Sequence, residues 1–98
     1  MVKHMIIWKM NEEITDKAAR AAEIKEALED LVGKIEGLER MQILTNAMDC
    51  SSGDLMMDST FTDAEALAAY QCHPLHVKIA SEIVRPAVSV RLSFDYEA

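Results

Sequence analysis

The sequence predicts an α+β domain in which strands and helical regions follow one another as β-α-β-β-α-β. Three observations predict it. Val2 to Met10 and Val88 to Tyr96 alternate at period two, the mark of strands. Ala21, Ile24, Leu28, Leu31 and Ile35 recur at intervals of three and four, the mark of an amphipathic helix. The 98 residues contain only three glycines and two prolines, too few for a loop-rich or disordered chain. That length suits a single domain over residues 1–98.

In the first strand Val2, His4, Ile6, Trp8 and Met10 point one way, and Lys3, Met5, Ile7 and Lys9 the other. Both sides are apolar enough to suggest that both faces are covered. Asn11–Ile14 is a polar connection, and Thr15 or Asp16 can cap the next helix. That helix is expected from Lys17 to about Ile35, with Gly37 favoured over Gly33 as its stop. Leu38–Ala47 reads as a weakly patterned second strand with Met41 and Ile43 on one face. The turn-rich MDCSSG segment leads to a third strand, Asp54–Phe61, where Leu55, Met57, Ser59 and Phe61 share a face. Thr62-Asp-Ala-Glu65 matches a capping box ahead of a helix from Asp63 to about Gln71. His73-Pro74 restarts the helical region, since proline suits a first turn and pushes the residue before it out of helical geometry. Leu75, Ile79, Ala80 and Ile83 are expected to face inward, and Arg85-Pro86 ends the run. Val88, Val90, Leu92, Phe94 and Tyr96 then alternate with Ser89, Arg91, Ser93 and Asp95. The order is that of a ferredoxin-like fold, a four-stranded antiparallel sheet with helices on one face.

Composition excludes several function classes. Seventeen acidic against ten basic residues leave a net charge of −7, with no basic stripe, which argues against nucleic acid and anionic membrane surfaces as partners. No apolar run reaches the roughly 18–20 residues that span a bilayer. Two cysteines, Cys50 and Cys72, fit reduced thiols in a cytoplasmic protein rather than a disulfide framework. No dinucleotide, P-loop or nucleophile-elbow motif occurs, and no cofactor is expected.

The histidines carry what chemistry there is. His4 lies mid-strand, while His73 and His76 stand in Tyr70-Gln-Cys-His-Pro-Leu-His76. With helices over one sheet face, His4 and the 70–76 segment can converge. Plainer roles stand beside this: a core histidine at 4, a cap at 73, and a residue near the apolar stripe at 76. His73, His76 and His4 could in principle supply the three nitrogen ligands of a zinc site. Pro74 breaks the helical register between the first two, and no second cysteine or carboxylate has ligand spacing, so no metal is expected.

Val2-Lys-His4, Trp8-Lys9, Phe61, Leu67, Tyr70, His73-Pro74-x-His76 and Phe94-Asp95-Tyr96 together resemble the Dabb family, the stress-responsive α/β-barrel domain, across essentially the whole chain. The resemblance implies a homodimeric α+β barrel in which two ferredoxin-like sheets pack face to face. Within that family the resemblance is to the olivetolic acid cyclase type, and its two catalytic histidines and tyrosine fall on His4, His76 and Tyr70. It implies cofactor-independent acid–base chemistry, cyclase- or isomerase-like, with a histidine as general base. Ile6, Trp8, His73 and Arg91 join them as expected ligand-binding residues. Trp8 replaces a smaller aliphatic residue of the cyclase and narrows any slot for an alkyl tail. By family orientation Arg91 and Ser93 share the His4 side, where the cyclase is apolar. Arg91 reads either as a cross-strand partner of Asp58 or Asp95, or as a cation for an anionic ligand. Antibiotic-biosynthesis monooxygenases and heme-handling proteins share such barrels, which is fold analogy alone.

Half of the residues are apolar, more than one small core needs. A second sheet face carrying Met5, Ile7, Met41 and Ile43 and, by the orientation the resemblance implies, Val90, Leu92 and Phe94 would account for the surplus, covered by an identical partner. Two functions follow: a stress-responsive dimeric barrel with a small pocket for a partly apolar ligand, catalytic or not, or a non-enzymatic stress-associated oligomer.

Overall fold

A computed structural model describes residues 1–98. The elements are β1 (Val2–Met10), α1 (Lys17–Glu29), β2 (Leu38–Leu44), β3 (Leu55–Phe61), α2 (Ala64–Cys72), α3 (Pro74–Ile79) and β4 (Val88–Glu97). A π-helical turn over Ala80–Val84 and a 3-10 turn over Arg85–Ala87 join α3 to β4. All pairings are antiparallel, in the order β2-β3-β1-β4. The fold is the ferredoxin-like arrangement, with β1 central and β2 and β4 at the edges.

One face of β1 is wholly buried: Val2, His4, Ile6, Trp8 and Met10 meet Ala21, Ile24 and Leu28 of α1 and Leu67 and Tyr70 of α2 in a single core. Helix α1 is shorter than its apolar stripe. It stops at Glu29, and Asp30–Glu36 turns tightly through Gly33, whose φ of 89° lies in the left-handed region that glycine enters without a Cβ clash. Leu31 and Ile35 remain buried, because these turns keep the chain against the core. Gly37, also at positive φ, has a second constraint, since a Cβ there would lie 2.5 Å from the Ala66 Cβ of α2.

The N-caps of α1 and α2 are aspartates. Asp16 accepts from the Ala19 N–H at 2.9 Å, and Asp63 from the Ala66 N–H at 2.8 Å. The second corrects the expected capping box by one residue. Thr62 still belongs to the strand exit, its N–H donating to the Gly37 carbonyl at 3.0 Å, so the cap position falls on Asp63.

Strand β2 departs most from expectation. Met41 and Ile43 lie on the covered face, not the open one, and both are buried. The register explains why: they stand opposite Ser59 and Met57, which face the core, and a shift between Leu38 and Arg40 inserts one extra residue. That bulge brings Leu38 and Met41 to the same face at a spacing of three, which is why β2 looks weakly patterned in sequence. The strand also ends at Leu44 rather than Ala47, its last partner being Met56. Its outer edge is closed by α1. The Ile43 N–H donates to Glu29 and Lys25 Nζ donates to the Ile43 carbonyl, both at 2.9 Å. Unpaired strand edges are otherwise templates for aggregation. Burial works to raise the Glu29 pKa, but the Ile43 N–H and Lys25 together hold its carboxyl below the ordinary value.

A second bulge interrupts β4. Lys9 pairs with Val90 but Met10 with Val88, so Val88 leaves the outer stripe and packs against the core. The remaining outward residues, Val90, Leu92, Phe94 and Tyr96, join Ile7 and Leu44 on an open apolar face. Leu75 is the last correction. It is exposed, because His76 and Ile79 hold the inward face of α3 and Leu75 lies about 100° round the helix from His76.

Candidate functional site

A cavity of about 350 Å³ lies between the covered sheet face and the α2–α3 region. Strand β1 contributes His4, Ile6 and Trp8, α2 contributes Tyr70, α3 contributes His76 and β4 contributes Arg91. The sequence separates these groups by up to 87 positions; the antiparallel neighbours of β1 and the break at His73-Pro74 bring them together.

His4 is buried, and its Nδ1 is hydrogen-bonded to the Asp95 carboxylate, the residue directly across from it on β4. A carboxylate accepts, so Nδ1 carries the proton. The His4 backbone is anchored as well, its carbonyl accepting from Ser59 Oγ at 2.6 Å. From the imidazole a row of rings crosses the core. His4 meets Phe61 edge-on at 6.3 Å, Phe61 lies 5.0 Å from Tyr70, and Tyr70 lies 4.1 Å from His76. The two histidines therefore hold fixed orientations at opposite ends of a packed aromatic row.

Burial pushes the Tyr70 phenol far above its ordinary range, against a smaller opposing pull from the Arg91 cation. Its hydroxyl keeps its proton at any working pH and can donate. Burial also holds His76 below its ordinary value of 6.5; the Gln71 carbonyl opposes this, while His4, Arg85 and Arg91 add to the lowering. His76 is therefore neutral at pH 7, and its buried Nδ1 has no hydrogen-bond partner.

The sign of the linkage follows. The unfolded chain binds the His76 proton more readily than the folded one, so stability is full above 6.5 and falls as pH drops through the lowered folded value. Thermal unfolding at a series of pH values checks this. The wild-type midpoint should fall more steeply between about pH 7 and pH 5 than that of His76→Gln, which has lost this group. Parallel curves would contradict it.

Of the ligand-binding residues singled out in the sequence, Ile6, Trp8 and Arg91 line the cavity and His73 does not. The His73 Nδ1 instead accepts from the Leu75 N–H at 3.1 Å as the cap of α3. Arg91 has neither acidic partner proposed for it. Asp58 pairs with Lys3 at 2.6 Å on the other face, and Asp95 is taken by His4. Sequence reasoning missed Asp95 as the partner of His4, and it missed Arg85 and Gln71 as lining residues. The alternation of β4 did put Asp95 on the Arg91 face, but only the register with β1 sets it opposite His4. No three His, Cys, Asp or Glu side chains are arranged to hold a metal ion. Cys50 and Cys72 are both exposed free thiols, and no helix is long and apolar enough to cross a membrane.

A second concavity, of about 520 Å³, lies by the β2–β3 loop beside Ile7, Leu44 and Met56. Its one ionisable carboxylate, Asp54, already accepts from the Met10 N–H at 2.7 Å, and no histidine, lysine or arginine lines it. Of these two, only the first brings histidines together.

Comparison with known proteins places the chain. A curated relative from Streptomyces coelicolor, the uncharacterized protein SCO4036, is 31% identical over 77 residues, covering 78% of this chain and 79% of the relative. A dimeric ferredoxin-like protein of unknown function from Bacteroides fragilis superposes with a TM-score of 0.89 at 26% identity, over 99% of this chain and 95% of the other. A hydroxynitrile lyase from Passiflora edulis shares the fold at 15% identity, with a TM-score of 0.80 over 97% of this chain and 90% of the lyase. The model of the stress-responsive A/B barrel domain matches residues 2–98. The chain belongs to the Dabb family.

Proposed function

We propose that the protein is a homodimer whose helix-side cavity binds a small, partly apolar molecule and performs cofactor-independent acid–base chemistry on it, of the lyase or isomerase type. The observation that carries this reading is the His4–Asp95 pair beside the cavity. His4 Nε2 is the base, and a carboxylate on Nδ1 orients the ring and stabilises the imidazolium formed when a proton is taken. Tyr70 and His76 are the hydrogen-bonding partners for the developing oxyanion, the first as a phenol that keeps its proton. Ile6 and Trp8 supply the apolar wall. The dimer is supported by the open apolar face and by the dimeric Bacteroides fragilis relative.

A thermal-shift screen of small aromatic and keto acids tests the reading. Saturable stabilisation is expected, approaching about 2.7 kcal/mol at a hundredfold excess over Kd, and His76→Ala should abolish it. One observation favours a second, non-enzymatic reading. The Asp95 bond to His4 also ties the edge strand to the sheet, a role that needs no ligand. If His4→Ala and His76→Ala both strongly destabilise the free protein and no compound raises its midpoint, the structural reading stands and the catalytic one falls.

A further inference from the structure

We infer that the cavity is a carboxylate site: its ligand is a small monocarboxylate with an apolar body, its anionic end held by Arg91 and Arg85. This rests on the cavity being a ligand pocket and names the class of molecule that fits it. Two guanidinium groups reach the lining from different elements, Arg85 from the 3-10 turn and Arg91 from β4 opposite Trp8. Neither forms an ion pair, as is also true of Lys9, Lys17, Arg40 and Lys78. What sets Arg85 and Arg91 apart is that they share one cavity.

That cavity's lining contains no aspartate or glutamate at all, and the single carboxylate nearby on β4, Asp95, is occupied by His4. The cavity is therefore a local positive site on an acidic protein. Such a site steers and holds anions, and paired guanidiniums recognise a carboxylate through parallel N–H···O bonds. Both arginines are exposed, which puts their charge at the mouth, while Ile6, Trp8 and Val84 line the interior. A molecule with one charged end and an apolar body matches that division. The buried, unpartnered His76 Nδ1 provides a further polar contact beyond the guanidiniums.

The test compares matched pairs of probes, benzoate with benzamide and phenylacetate with phenylacetamide, by calorimetric titration of the intact protein. Each carboxylate should bind at least about tenfold more tightly than its amide, and added sodium chloride should erode the difference. Arg91→Gln should remove most of the preference and Arg85→Gln part of it. Lys34→Gln, which deletes a charge far from the cavity, should leave it intact. Circular dichroism checks that the variants remain folded, as expected of exposed side chains. Equal affinities for acid and amide, or a preference that survives the double arginine variant, would overturn the inference and leave the pocket reading standing. Failure of every probe, together with failure of the wider screen, would remove both.

Discussion

Replacing Phe61 with alanine should lower the unfolding free energy by about 3–5 kcal/mol, a large share of the roughly 5–15 kcal/mol typical of a domain. Phe61 is fully buried at the end of β3, paired with Val2 on β1 and Leu38 on β2. Its ring touches Tyr70 on one side and the edge of His4 on the other. Truncation removes the transfer energy of the ring and leaves a void that three strands and α2 cannot all close upon. Denaturant unfolding at fixed protein concentration checks it: the midpoint should fall with little change in slope. A loss below about 1 kcal/mol would mean that the core collapses around the gap. The same variant bears on the site, because the row of rings that orients Tyr70 loses its middle member. Ligand-induced stabilisation should therefore weaken even where the variant is fully folded.

The second large effect concerns the open sheet face. Leu92 and Phe94 are 65% and 70% exposed in the single chain; Ile7, Val90 and Tyr96 adjoin them, and Leu44 lies on the same face at the opposite edge. Contiguous apolar surface of this kind marks an interaction site, and a two-fold partner would cover it with its own copy of the same residues. Burying a leucine or phenylalanine side chain contributes about 1.5–3 kcal/mol, and two-fold symmetry counts each residue twice. Leu92→Asp combined with Phe94→Asp should therefore weaken self-association by at least about ten-thousandfold, with the cost of desolvating carboxylates added. Light scattering should give twice the mass of one chain for the wild type and a single chain for the variant. Circular dichroism should stay native, since neither side chain is buried in the single chain. A variant that remains dimeric would place the interface on another surface.

The open face also shows where sequence reading reached its limit. Ile7 is assigned to it by the alternation of β1, and Val90, Leu92 and Phe94 by the strand orientation that the family resemblance implies; all four are exposed there. Met41 and Ile43 were placed there and belong to the core. Period two specifies that alternate residues share a face but not which face, and the bulge in β2 hid even the alternation. Val88 moved for the same reason, two residues before Val90, where β4 becomes regular. The capping error at Thr62 and Asp63 is of another kind. Both residues carry a suitable oxygen, and the choice was made by Gly37 of the neighbouring chain segment, which accepts the Thr62 N–H.

In the cavity, residue types were legible and partnerships were not. His4 and Asp95 lie 91 positions apart and nothing local links them; one residue of slip between β1 and β4 would send Asp95 to the opposite face. Arg91 illustrates the converse. Its charge was visible in sequence, but its lack of an acidic partner became apparent only when Asp58 and Asp95 were seen bonded elsewhere. His73 was eligible for the site by type and proximity in sequence, yet Pro74 sets it in extended geometry as a cap, with its ring on the Leu75 amide.

By itself, then, the sequence determined the β-α-β-β-α-β order, the stripe of α1, the membership of the covered face of β1 and the Dabb resemblance. All of these depend on periodicities and motifs within a few residues of one another. Only the tertiary structure decided the faces of β2, the pairing of Asp95 with His4 and the isolation of the two arginines at the cavity. Each depends on strand register, a long-range choice made when side chains compete for one buried volume.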